Sequence, residues 1–237
     1  MRRTLALLLV AVCVLCIAAC ERAKSLTSDA PTIEVRVDPR MELLAAVQLL
    51  SGYGEKYPGL ITRFDFAYKD DMAKHFAPYK NHQAVKLFAK MSDGFSYDAP
   101  PAAMLFLTDP PGLKVRLPFS DYIKSRAGGE KQLTAFVQAL RDFARESNFQ
   151  AFYDAHRGTY QAIEEAMGKE VDSAWMATLE QYYGKRQASY TIIPSPIFEQ
   201  GGYGPRVELQ NGKFEVYDIC GPVGVKFGLP FLATGRA

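Results

Sequence analysis

Histidine, cysteine and tryptophan are scarce in this chain of 237 residues, which holds three, four and one of them. Cys13, Cys16 and Cys20 all lie in the first twenty residues, so the remainder carries Cys220 alone and has no internal disulfide to form. Beyond those twenty residues there is no C-x-x-C, and nowhere is there an H-E-x-x-H, a P-loop or a G-x-S-x-G. No catalytic residue can be assigned from a motif. Charge of one sign is not in excess either, with 28 Lys+Arg against 26 Asp+Glu. A nucleic-acid partner or a polybasic membrane surface would need cations gathered in surplus, so both are excluded. The one long apolar run, Leu5 to Ile17, has 13 residues, short of the roughly 20 that cross a bilayer.

What is present at the start is a positive Arg2-Arg3, that apolar run, and Ile17-Ala18-Ala19-Cys20. The pattern is that of a cleaved signal peptide and resembles a bacterial lipobox, in which the cysteine is diacylated and becomes the new N-terminus. Two acyl chains anchor durably where one does not. Residues 1–19 read as signal, and 20–31, with Cys20 as the lipidation site, as a polar tether. Residues 32–237 read as one domain. Cleavage removes Arg2 and Arg3 and no acid, so the 28 basic residues fall to the same 26 as the acids. The membrane is then held through lipid alone. Glu21 after the lipidated cysteine points to the outer membrane, facing the periplasm, in a Gram-negative host.

Periodicity predicts an α+β domain, helical over 38–184 and β-rich over 188–220, with a small antiparallel sheet towards the C-terminus. Thr32–Val37 alternates as a strand, and Asp38-Pro39 opens a helix with Leu43, Leu44, Val47 and Leu50 on one face. Asp70 and Asp71 lead a helix stopped by Pro78, and Asn81 caps the next. Five prolines over 96–118 make Ala102–Leu107 a short strand. Three helices follow, the second running unbroken from Phe149 to Met167 and the third capped by Asp172 and ended by Gly184. Ser189–Ile193 and Arg206–Leu209 read as strands, and Asn211-Gly212 joins the latter to Phe214–Ile219 through a type I′ turn.

For chemistry, His75 and His82 fall on either side of Pro78 and so on separate helices, which removes a same-face metal pair. His156 sits on an apolar stripe as a hydrogen-bonded core histidine, Glu164 and Glu165 as a solvated face, and Cys220 as a small buried residue. Gly201, Gly202, Tyr203 and Gly204 form the densest glycine segment. They read as a tight strand connection or as the border of a substrate cleft, where bare backbone can approach a ligand.

Several segments in order, Val37–Leu43, Leu49–Tyr53, Tyr79–Val85, Gly94–Pro101, Phe149–His156, Gly201–Pro205 and Val216–Ile219, resemble domain of unknown function 4932, a family of exported bacterial proteins. The resemblance implies the pre-catalytic part of a zincin-like metallopeptidase, whose full-length relatives continue into a helix with two zinc-binding histidines four residues apart. Here Ala237 falls where that helix would begin. The expectation is a truncated, incomplete domain with no metal site and no cofactor in this chain, inactive as written. The alternative is a non-enzymatic binding or scaffold lipoprotein of the envelope, with a peptide or protein ligand.

Overall fold

A computed structural model describes residues 31–172, 174–199 and 201–232. The signal, Cys20 and most of the tether lie outside them. The first body starts with β1 (Ile33–Val35) and α1 (Pro39–Leu50). After the short α2 (Tyr53–Lys56) come α3 (Ala67–Phe76), a 3-10 turn (Ala77–Tyr79), α4 (Gln83–Met91) and α5 (Ala99–Met104). Then follow α6 (Asp121–Arg126), α7 (Glu130–Glu146), α8 (Phe149–Ala155) and α9 (Arg157–Gly168). α10 (Ala174–Tyr183) belongs to a separate unit. It ends at Gly184, whose φ of 62° is the left-handed stop that its sequence promised.

Back in the first body come β2 (Ser189–Pro194), β3 (Gly201–Tyr203), β4 (Arg206–Glu208), β5 (Phe214–Gly221), β6 (Gly224–Lys226) and β7 (Leu229–Phe231). The α+β class holds, with the strands gathered towards the C-terminus except β1. The sheet itself is mixed. β1, β2 and β5 run parallel, while β3 and β4 add antiparallel to the far side of β5. β6 and β7 form a separate hairpin.

α1 is the buried centre. Met41, Leu43, Leu44, Ala45, Ala46 and Val47 have no exposed surface, and α3, α4 and α5 pack around it. An aromatic seam closes the helical layer: Phe76 meets Phe143, Phe149 and Phe152 at ring-centroid separations of 5.6, 6.3 and 5.0 Å.

Local chemistry changes several expected boundaries. Ala102–Met104 is helix rather than strand, because Pro100 and Pro101 sit in the first turn, where a missing N–H costs nothing, and only Leu107 makes a β-bridge, to Val115. α3 begins at Ala67, so Asp70 and Asp71 lie inside it. α4 is capped by His82 rather than Asn81, with Nδ1 accepting the Ala84 amide at 3.1 Å. The stripe from Phe149 to Met167 breaks at His156. Its ring Nδ1 takes the Phe152 carbonyl at 2.9 Å, the acceptor that a continuous helix would offer the His156 amide. Asn211-Gly212 does join β4 to β5, but only Gly212 has positive φ. Gly212 donates its amide to the Leu209 carbonyl. The loop is therefore a type I turn followed by a left-handed glycine, not type I′. The cap expected at Asp172 adjoins Ser173, which is outside the described residues.

Candidate functional site

The glycine segment forms the free margin of the sheet. β3 pairs with β5 through Gly201↔Gly221, Gly202↔Cys220 and Tyr203↔Ile219, and β4 continues the same margin through Arg206↔Val216 to Glu208↔Phe214. No strand among the described residues pairs with the outer side of either. Gly201, Gly202 and Gly204 are exposed and Tyr203 is half-buried. Gly201 has φ 128°, a conformation closed to ordinary side chains. At Gly202 a Cβ would stand 2.9 Å from the Asp218 carboxylate.

Two clefts lie near this margin. One, of about 510 Å³, is lined by Gly59, Ile61, Thr62, Arg63, Phe64 and Glu199. The other, of about 460 Å³, lies against Pro205, Arg206 and Glu208, with Phe106 and Tyr122 among its walls. Between them, segments distant in sequence converge. The Tyr97 amide donates to Tyr53 Oη at 2.9 Å, and Tyr122 Oη donates to both oxygens of Asp98 at 2.9 Å. Tyr203 donates its hydroxyl to Glu199; burial first, then that carboxylate, raise the Tyr203 phenol far above its ordinary value. Burial with the charge of Glu199 takes Tyr53 up to about 12. Tyr97 stands half exposed with φ 57°, a strained placement for an aromatic residue.

A second polar cluster lies inside. Asp38 caps α1, accepting the Arg40 amide at 2.9 Å, while Arg40 Nε and Nη2 clasp its carboxylate at 2.9 and 2.6 Å. Arg36 Nη1 adds a contact at 2.9 Å. Burial alone would raise the Asp38 carboxyl, but the two guanidiniums hold it below the ordinary range. One turn on, Glu42 is wholly buried and accepts hydroxyls from Tyr68 and from Ser195, the latter at 2.9 Å. Tyr68 Oη lies 2.9 Å from Tyr160 Oη. Burial pushes Glu42 up to about 7 against those hydrogen bonds, and the charge of Asp38 adds to the rise. Sequence reasoning passed over Glu42. An acid three residues after Pro39 reads as an exposed first-turn residue favouring the helix dipole; its neighbours Met41 and Leu43 on either side were the only hint of burial.

The histidines are spoken for separately. His75 Nε2 bonds the Ser147 carbonyl at 2.9 Å, His82 caps α4 and reaches Glu146 at 3.4 Å, and His156 Nε2 meets Asp71 at 3.3 Å. His75 and His82 do lie on different elements, and His156 is hydrogen-bonded in the core edge as expected. Glu164 corrects its expected solvated role: it accepts the Val37 amide at 2.8 Å just past the end of β1. Among the described residues no three His, Cys, Asp or Glu side chains come together to hold a metal ion. Cys220 is a free, buried thiol, which burial and then Asp218 push up to about 12.

The chain matches the family described as Domain of unknown function (DUF4932) over residues 33–232. It belongs to that family. No curated protein matches it, and no solved structure does. Within the DUF4932 domain the segments Leu49–Tyr53, Gly94–Pro101 and Gly201–Pro205 meet at the sheet margin through Tyr53, Tyr97, Asp98 and Tyr203. Val37–Leu43 and Phe149–His156 meet behind it, where Tyr153 Oη donates to the Val37 carbonyl at 2.8 Å.

Proposed function

We propose that the protein is a cell-envelope lipoprotein, anchored through Cys20, whose DUF4932 domain binds an extended polypeptide along the β3–β4 margin. One observation carries this: a margin with exposed glycine backbone, paired on one side only among the described residues, with one cleft against β4 and another beside Glu199, just before β3. Such an edge offers main-chain hydrogen bonds to an added strand, and the clefts beside it would receive side chains. The lipobox-like Ile17–Cys20 supports the anchor, and the family resemblance to zincin-like peptidases supports a peptide as ligand.

Fluorescence anisotropy with labelled octapeptides of alternating apolar sequence tests the binding. Binding should appear with the plain peptides and vanish when alternate amides are N-methylated, since methylation removes the ladder donors. Equal affinity for both sets would refute strand addition. The anchor is tested apart from this: Cys20→Ala should release the protein from membranes, and unchanged fractionation would refute lipidation.

A further inference from the structure

We propose that the polar face of the parallel strands β1, β2 and β5 is a second binding site, open to a neutral saccharide and centred on the Thr191 hydroxyl. It uses the face of the sheet rather than its margin, and it does not rest on the peptide-binding function above.

Strand register builds this face. Glu34, Thr191 and Tyr217 share one rung across the three strands, and two residues earlier Ser189 pairs with Glu215. Residues on one rung point to the same side of a sheet. The alternating Val35 and Ile192 turn to the core. With Arg36, Arg40, Asp109 and Arg116 around them, the polar side chains line a cleft of about 550 Å³, a size that holds small ligands. Leu107 is its one aliphatic lining residue and has no exposed surface, so an apolar ligand gains nothing there.

The charges on the lining cancel in pairs. Arg116 Nη1 donates to Glu215 at 3.0 Å while its Nε holds the Leu105 carbonyl. Arg36 meets Glu34 at 3.3 Å, and Arg40 meets Asp109 at 3.6 Å. Arg36 and Arg40 also share Asp38, which is wholly buried behind them. A ligand anion would have to displace a carboxylate, and a cation would face three guanidiniums.

Hydroxyls are what the cleft leaves unmatched. Thr191 is 5% exposed and Ser189 half-buried, and neither side chain has a hydrogen-bond partner among the described residues. A buried hydroxyl without a partner is costly, and that of Thr191 opens on the cleft. The Glu34 and Asp109 side chains are 61% and 65% exposed, and each keeps outer lone pairs for a donor. A sugar answers both needs. Each of its hydroxyls donates one hydrogen bond and accepts others, and it brings no charge to unbalance the pairs.

Amide NMR titration of the mature chain tests this, with glucose, maltose, N-acetylglucosamine and chitobiose as probes and sodium acetate and phosphate as ionic controls. At least one saccharide should give saturable shifts centred on Glu34, Thr191 and Tyr217, with the same affinity at low and high salt. A dimer that binds more tightly than its monomer marks a glycan chain as the source of the ligand, and equal binding a free sugar. Thr191→Val keeps the shape and removes the hydroxyl, so its affinity should fall about fivefold. Should that variant fail to fold, Ser189→Ala carries the same expectation. Saturable shifts there with the anions alone, none with any probe, or undiminished affinity in the variant that folds would overturn the proposal.

Discussion

Gly221 ends β5 under the chain that leaves β2. A Cβ on it would stand 1.8 Å from the Glu199 carbonyl oxygen, backbone that cannot turn aside. Gly221→Ala should therefore cost about 2–3 kcal/mol in a urea titration, as overpacked cores do. Gly158 in α9 is the contrast, since nothing lies within 4 Å of the added methyl. Gly158→Ala should stabilise by roughly 0.5–1 kcal/mol, the helical cost of glycine. Asp38 carries the largest single-residue effect expected. Asp38→Ala removes the cap of α1 and takes from Arg40, whose side chain is only 6% exposed, its closest carboxylate, leaving the Leu107 carbonyl at 3.0 Å and Asp109 at 3.6 Å. A loss of about 3–5 kcal/mol should follow, as when one partner of a buried pair is deleted, and a loss below about 1 kcal/mol would show that Arg40 finds other partners.

Among the elements, α1 ties the helices to the sheet through Glu42, and its stability should follow pH. Glu42 titrates at about 7 in the folded chain against 4.5 ordinarily. Its folded value is raised, so its contribution is full below pH 4.5 and is lost as pH rises through 7. The loss amounts to about 3 kcal/mol. The native chain minus Glu42→Gln difference in unfolding free energy should shrink or reverse between pH 5 and pH 8; a constant difference would refute the shift. How much of this was legible depends on whether the deciding interaction is local. Asp38-Pro39 announces α1 because cap and first-turn proline are neighbours in sequence. The helix at Ala99–Met104 was misread because five prolines suggest turns, although two of them sit where a helix accepts them. The break at His156 is invisible to periodicity, since the apolar stripe continues across it. The sheet margin was flagged by its glycines, but Glu42 was not, because its partners lie 26 and 153 residues away.

For the whole molecule, the balance of charge and the separation of the three histidines make two expectations. Equilibrium dialysis of the mature protein should find no stoichiometric zinc; one tightly held ion lost on changing His75 and His82 together would contradict the placement of those rings. Binding of plain over N-methylated peptides should survive a rise in salt, because the margin offers backbone rather than a field of one sign.

The parallel pairing of β1 with β2 has a consequence in time. Ile33 must find Tyr190, and β2 in turn needs β5, which closes only at Gly221. A ribosome adding about 5–20 residues per second needs on the order of ten seconds or more to supply the missing partners. Throughout that interval the first strand made has nothing to pair with, while the helices between can fold on local contacts. The strand synthesised first is thus the one that waits longest for a partner.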